Sequence, residues 1–591
     1  MNVLYFLFFF SVVAAGSLFR LITIGAPLFF SLYALLEAFL EAGTLLLIGA
    51  LLYSYTPRWL FKLFISATFL LLVAHLTDFM ILRLMDESIL YPINYFFGSG
   101  VHHLFAACQS LNLNAKMGLL FGGAVLFLPL GGWLLYRCMG VFGKKFQRQV
   151  ELKVCLVALM SGAGVLYAMD FLGQPALSPL LSQKFQKSLP VGLKFAPSFP
   201  QIFSLSNPLP SPREEKEVQK ILSETKLSLP YKPNIYLFVV ETLRKDFVTF
   251  DTAPTLSAFA EENISFPQSF ANANSTHLSW FSIFHSTFPF HWTSMKASWK
   301  EGSVPLQMLK QLGYTIRVYS SADLELFEMA PLLFGAGRKL ISHAEEYSHE
   351  LLLSPAERDA LAFKALEQNA ENKSGQLFVI FLDATHSEYS VPKDFSPKFL
   401  PIVDQIDYLQ LTQETIEPIK NRYRNAIHYL DSLFGHFFQQ LKEKELYEEA
   451  IIAITGDHGE EFFEEGALFH GTHLNEYQTS VPIFLRLGDK KAEVQLSTHL
   501  DIFPSILHHL TGISDFSKLL DGESVLIKNS SPSRLAVLNN GPSTPSEFFI
   551  QQGDQRLRLR CPKGKSIYQA LDWEVLEGAN RELVEEINKR R

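Results

Sequence analysis

Cysteine is nearly missing from this sequence. Four occur in 591 residues, at positions 108, 138, 155 and 561. Only Cys561 lies beyond the apolar first third, so no internal disulfide can staple the remainder, even in an oxidising compartment. Positive charge is also in short supply. With 51 Lys and Arg against 59 Asp and Glu the formal net charge is -8, and no clustered basic face points to nucleic acid as a partner. The amino end lacks a basic stretch as well. A cleaved signal peptide normally begins with one, and here further apolar segments follow the first, so the first segment is expected to stay as an anchor.

What the chain has in excess is apolar surface: 48% hydrophobic residues, 13% aromatic, and 52 Phe. The excess concentrates in five runs, at 3–19, 28–53, 60–82, 117–136 and 154–172. Each approaches the roughly 20 residues that cross a ~30 Å hydrocarbon core. Arg58 follows the second run, and Arg137, Lys144, Lys145, Arg148 and Lys153 lie between the fourth and fifth. Basic short loops stay cytoplasmic, which leaves everything after residue 172 outside. Inside the spans, Glu37 and Glu41 share a helix face, and His75 and Asp78 sit in the third. Charges at that depth either pair to lock helices together or line a headgroup route.

Residues 173–233 read as a proline-rich linker with one short helix in "SPREEKEVQKIL", where Ser211 as N-cap and Glu214 suggest a capping box. From residue 234 to 591 the texture is that of an α/β domain. "NIYLFVVE", "YTIRVYSS", "QLFVIFLDA", "AIIAITGD", "VPIFLRL" and "RLAVLN" are near-continuous apolar runs, as expected of strands covered on both faces. Ligands of such sheets bind beyond the carboxyl ends of the strands. Glu241 ends one run, Asp383 and His386 follow a second, and Asp457 and His458 end a third. Acids and imidazoles at three strand tips suit a divalent metal, zinc or manganese. Thr276, in "ANSTHLSWFSIFHS", opens a helix that Asn274 or Ser275 can cap. A hydroxyl there is placed to be ionised by a cation, beside helix N–H groups that receive an anion. The alternative is that Thr276 belongs only to the cap.

The order Glu241, Thr276, His386, "GDHGEEF", "LFHGTH" resembles the alkaline phosphatase and sulfatase superfamily. The resemblance is to its membrane-anchored bacterial branch of phosphoethanolamine transferases and lipoteichoic acid synthases. "THLDIFPSILHHLTGI" looks like a further signature, and "FFIQQGDQRLRL" with "IYQALDWE" like the closing antiparallel strands. The resemblance implies five membrane helices before a sulfatase-like domain in the bacterial inner membrane, with that domain outside the cytoplasm. It implies Glu241, Asp457 and His458 as metal ligands and Thr276 as ligand and nucleophile. His386 and His470 would hold the substrate phosphate or a second metal and move a proton. Arg244, in "ETLR", and His473 would contact substrate. The implied reaction transfers phosphoethanolamine or phosphoglycerol from a phospholipid to a lipid or glycan acceptor of the envelope, through a phosphothreonine. A sulfate or phosphate ester hydrolase shares every motif, and a non-catalytic lipid sensor is a third reading, although a sensor is expected to have lost ligands. The chain departs from the branch in two places. "NANST" has no cysteine before the threonine, and "VYSSADLELFEMAPLLF" carries no His, Trp and Arg cluster for glycerol phosphate. The C/S-x-P-x-R motif of sulfatases is absent around Thr276 and Thr242.

Overall fold

The protein is described from a computed structural model. The structure describes residues 2–90, 93, 115–142, 152–173, 184–189 except 186, 202–204 and 209–578. Within the last stretch, 230, 351, 371–374, 409, 493, 528–535, 541–546, 553–554 and 562–565 are excepted. Lys144, Lys145 and Arg148, Cys108, and Pro175, Pro179, Pro190, Pro197, Pro200, Pro208 and Pro230 of the linker lie outside the described residues. The chain divides into two compact units, residues 1–201 and 202–591.

The first unit is helical: α1 (Val3–Thr23), α2 (Leu28–Tyr55), α3 (Arg58–Met85), α4 (Ala115–Phe142) and α5 (Leu152–Gly173). Helices stand at all five apolar runs, and among the described residues α1, α2, α3 and 152–169 of α5 are long and apolar enough to cross a membrane. Each satisfies its own backbone, the condition for a segment in hydrocarbon. Prolines 27 and 57 precede α2 and α3, where a missing N–H costs nothing. Glu37, Glu41, His75 and Asp78 within the spans are buried. His75 Nε2 lies 3.0 Å from Glu41 Oε1, joining α3 to α2, while Asp78 Oδ1 accepts from Ser88 Oγ at 2.9 Å and the Ile89 N–H at 2.6 Å. Arg20 pairs with Asp86. The contacts of Glu41 and His75 thus match the helix-locking reading.

The second unit holds a six-stranded sheet in the order β10-β7-β2-β6-β4-β5. Its members are β2 (Ile235–Val240), β4 (Thr315–Ser320), β5 (His343–Glu346), β6 (Gln376–Leu382), β7 (Ile451–Gly456) and β10 (Ile483–Arg486). All pair in parallel except β10, which runs antiparallel to β7. Every residue of β2, β6 and β7 is buried, which explains their unbroken apolar sequence. The cover on one face includes α11 (Glu417–Glu443). Its buried Ile419, Tyr423, Ala426, Leu430, Phe434, Phe437 and Leu441 recur at three- and four-residue steps. Phe238 of β2 meets Phe434 at 4.9 Å and Phe363 at 5.7 Å between ring centroids. The remaining helices used below are α6 (Glu215–Glu224), α7 (Pro254–Glu262), α8 (Thr276–His285), α9 (Val304–Gln311), α10 (Pro355–Asn369) and α12 (Ile502–Thr511).

A second, antiparallel sheet has the order β1-β15-β14-β13-β12. It comprises β1 (Ile202–Ser204), β12 (Ala536–Asn540), β13 (Glu547–Gln552), β14 (Gln555–Arg560) and β15 (Asp572–Glu577). The short strands β3 (Gln268–Phe270) and β11 (Leu496–Thr498) pair with each other, as do β8 (Glu461–Phe462) and β9 (Leu468–Phe469). Two expectations are corrected here. "RLAVLN" supplies β12 of this second sheet rather than a strand of the first, because its partner is the nearby β13. The capping box at Ser211 does not form. Arg213 donates to Asp521 and to the carbonyls of Ser517 and Leu520, holding 211–213 against that segment, and α6 begins at Glu215 with no side-chain cap.

Phe238→Ala is expected to cost about 3–5 kcal/mol of stability, the usual range for an emptied aromatic core position. Chemical denaturation of the full chain in detergent checks this, and a loss below about 1 kcal/mol contradicts the packing described.

Candidate metal centre and nucleophile

Because β2 lies between β6 and β7, the tips of three neighbouring parallel strands bring Glu241, His386, Asp457 and His458 to one rim. The loops beyond the tips are cross-tied by their own polar groups. Thr242 adopts a left-handed φ of 55°, a strained conformation for a β-branched residue. In that conformation its N–H donates to Asp457 Oδ1 at 2.9 Å. Its hydroxyl donates to the Thr385 carbonyl, and the Thr385 hydroxyl donates to the Glu241 carbonyl. Tyr423 of α11 clamps the same turn, donating to the Thr242 carbonyl at 2.6 Å and accepting the Arg244 N–H at 2.9 Å.

Thr276 is the first residue of α8, and the N-cap Ser275 makes no side-chain hydrogen bond to that turn. Asn274 does not cap it either: its Oδ1 is buried and accepts no hydrogen bond among the described residues, while its Nδ2 donates to the His473 carbonyl and to Gln478. Thr276 Oγ1 donates to Glu241 Oε1 at 3.0 Å and lies 3.4 Å from His458 Nε2. That nitrogen is 3.3 Å from Glu241 Oε1 and 3.5 Å from Asp457 Oδ2. Tetrahedral bonds of 2.0–2.2 Å imply ligand-to-ligand edges of about 3.3–3.6 Å, and the three distances from His458 Nε2 match them, so Glu241, Asp457 and His458 suit one divalent ion with the Thr276 hydroxyl beside it. Asp457 Oδ2 supports the fit, since it is buried with no hydrogen-bond donor among the described residues. Burial pushes Asp457 well above the usual carboxylate range, and the Glu241 charge adds to the shift. Burial alone would lower His458, but Asp457 and Glu241 hold it up at about 9. Two carboxylates so enclosed call for a compensating positive charge.

A second donor group adjoins the first: ligand atoms of Glu241, His386 and His470 lie within 4.8 Å of one another. His470 Nδ1 donates to Glu460 Oε2 at 2.6 Å, and Tyr389 donates to the other oxygen of Glu460 at 2.6 Å. This fixes the tautomer that leaves Nε2 available. Burial lowers the His470 pKa and His458 adds to the effect. Burial would also lower His386, yet Glu241 and Asp383 bring it above its ordinary value. Neighbouring imidazoles pushed in opposite directions suit one proton donor and one acceptor.

The two remaining candidates lie differently. Arg244 is almost wholly buried. Its guanidinium binds Asp246 at 2.6 Å, Glu464 at 3.0 Å and the Glu460 carbonyl at 2.8 Å, so its visible contacts brace the 460–464 turn. His473 Nδ1 lies 4.0 Å from Glu461, and its N–H donates to Gln478 Oε1 at 3.1 Å. Sequence reasoning passed over Glu460, Tyr389, Glu461 and Gln478. The two acids of "GDHGEEF" were the available signal, being hydrophilic residues that the fold buries completely.

Residues 233–513, just under half of the chain, match the sulfatase family. With the apolar helices before that stretch, the chain is similar to membrane-anchored members of the alkaline phosphatase and sulfatase superfamily. Lipoteichoic acid synthase 2 of Bacillus subtilis is 26% identical over 187 residues, 29% of each chain. An uncharacterised protein of Haemophilus influenzae is 22% identical over 281 residues, 47% of this chain and 41% of that one. The chain therefore spans less than half the length of these curated relatives. In fold, it is similar to the integral membrane lipooligosaccharide phosphoethanolamine transferase A of Neisseria meningitidis. That likeness covers 86% of this chain and 95% of the other at 15% identity and a TM-score of 0.53.

Two outcomes are expected at this centre. Glu241→Ala and Asp457→Ala each lose bound metal in elemental analysis, and full occupancy in either purified variant refutes the ligand set. Since His458 is protonated below about 9 and Asp457 is held well above the usual carboxylate range, a cation must displace protons from both sides of the site. Zinc affinity is then expected to rise by at least about tenfold per pH unit between pH 6 and 8, as titration calorimetry in buffers of different ionisation heat would show; a pH-independent affinity contradicts it.

Proposed function

We propose that the protein transfers a phosphate-linked headgroup, phosphoethanolamine or phosphoglycerol, from a membrane phospholipid to a lipid or glycan acceptor of the bacterial envelope. In this reading the sulfatase domain lies on the outer side of the inner membrane, where Arg58, Arg137 and Lys153 on the cytoplasmic side set the orientation. The observation that carries the proposal is the placement of Thr276. Its hydroxyl lies within 3.4 Å of both Glu241 and His458, at the uncapped amino end of a ten-residue helix.

Glu241, Thr276, Asp457 and His458 would hold a divalent ion, zinc or manganese, which when bound would supply charge to ionise the hydroxyl and offset the phosphate. Thr276 Oγ, its proton passing to solvent and returning when the threonine is freed, attacks phosphorus, and the bond from phosphorus to the diacylglycerol oxygen breaks. His386, the more basic imidazole, gives its proton to that leaving oxygen. The first-turn N–H groups of α8 stabilise the phosphoryl oxygens. His470, held by Glu460, accepts the proton of the incoming acceptor hydroxyl, which takes the headgroup phosphate from Thr276 and restores the free threonine. Arg244 and His473 serve from beside this route, the first by bracing the turn that carries Glu460. Transfer to water instead of an acceptor makes the same site a hydrolase. The helical unit favours a lipid donor, since a soluble ester needs no anchor.

In phosphatidylethanolamine or phosphatidylglycerol vesicles, the purified chain is expected to release diacylglycerol. Chelation and Thr276→Ala each reduce release by at least about a thousandfold, the scale of losing a nucleophile. Mass spectrometry of Thr276 identifies the group carried. Efficient turnover of an aryl sulfate or soluble phosphate with no lipid consumed replaces the transferase reading by hydrolysis.

A further inference from the structure

Gln478, in the short helical turn Glu476–Thr479 that closes the segment bearing His470 and His473, is completely buried, and its amide is saturated. Nε2 donates to Glu461 Oε2 at 2.9 Å and to Thr472 Oγ1 at 3.0 Å. Oε1 accepts from Asn274 Nδ2 at 3.0 Å, the Thr472 N–H at 3.2 Å and the His473 N–H at 3.1 Å. Asn274 stands two residues before Thr276, and its same nitrogen donates to the His473 carbonyl at 2.9 Å. One amide oxygen therefore receives hydrogen bonds from both the nucleophile loop and the histidine loop.

The base of the link is rigid. Glu461 is buried and accepts four hydrogen bonds, from the N–H groups of Glu465 and Ala467 at 2.9 Å each, Asn475 Nδ2 at 2.6 Å and Gln478. Gly459 makes room for this segment beside the metal-site strand. Its N–H donates to the Gln478 carbonyl at 2.9 Å, and a Cβ there would stand 2.1 Å from the Tyr477 carbonyl oxygen. Asp457 and His458 immediately precede that contact. The amide is thus fixed to the turn of the ligand strand at one end and reaches the nucleophile loop at the other.

We propose that Gln478 and Asn274 are positioning residues that set the distance of Thr276 from Glu241 and His458 by tying its loop to the 470–478 loop. The inference rests on the transferase or hydrolase reading of Thr276 only for its kinetic consequence. A buried amide pair of this kind is suited to alignment, because each donor is expensive to leave unsatisfied and has one geometry that satisfies it. A displacement near 1 Å at a nucleophile lowers turnover about a hundredfold.

The test compares Gln478→Ala, Asn274→Ala and the double variant in the full chain, by lipid turnover per metal-loaded molecule and by hydrogen exchange of each purified protein. Each single variant is expected to lower kcat about a hundredfold with KM changed less than about threefold, and the double variant to be no worse than either single. Exchange is expected to rise at 271–277 in Gln478→Ala and at 470–478 in Asn274→Ala, with β2 unchanged. Losses that multiply, losses carried by KM, or unchanged exchange in the opposite loop overturn the proposal. If Gln478→Ala does not fold, Asn274→Ala decides alone by exchange at 470–478. If the wild-type chain turns over no ester, the proposed function fails while exchange still decides whether the two loops are tied.

Discussion

Repulsion between two buried carboxylates, Glu241 and Asp457, is the constraint around which the second unit is organised. Parallel pairing of β2 with β7 places their carboxyl ends side by side, and each strand delivers an acid one residue beyond its last ladder position. Their juxtaposition is tolerable because the surroundings answer it. A strained Thr242 turns its N–H toward Asp457, His458 lies between the two acids, and Thr276 donates to Glu241. A divalent ion held there, as proposed above, would complete the compensation and turn an electrostatic burden into a reactive centre. The cross-ties among Thr242, Thr385 and Tyr423 keep the tips from moving apart to relieve the repulsion by other means.

The sequence was most legible where one physical requirement dominated. Strands buried on both faces must be apolar throughout, so β2, β6 and β7 stood out, and with them the residues at their tips. The helices of the first unit were legible for the same reason. Legibility failed where a segment depends on a distant partner. Ser211-Pro212-Arg213-Glu214 and Ser354-Pro355-Ala356-Glu357 share a pattern, yet only the second forms a capping box. In the first, Arg213 is held by residues 517–521, about 300 positions away. The roles of Glu461 and Gln478 were hidden likewise, since each becomes intelligible only when Asn274 and Asn475 stand beside it. An apolar pattern also does not say which sheet a strand joins, as β12 shows.

The helical unit applies the same electrostatic rule in a drier medium. Glu41 and His75 meet where neither would be tolerated singly, and the pair fixes the register of α2 against α3. Near the end of α3, Asp78 holds the turn at Ser88 and Ile89, so an acid within the span serves the loop that follows.

The pairing of β1 with β15 has a consequence in time. Ile202–Ser204 wait for Asp572–Glu577, more than 360 residues later in synthesis. At common elongation rates of about 5–20 residues per second, the interval is on the order of half a minute. Throughout it the first strand of the antiparallel sheet has no native neighbour, while the parallel sheet, complete once β10 has emerged, can already assemble. Maturation of this unit is therefore ordered by the ribosome. The strand-tip cluster takes shape first, and the sheet that joins the unit's beginning to its end closes last.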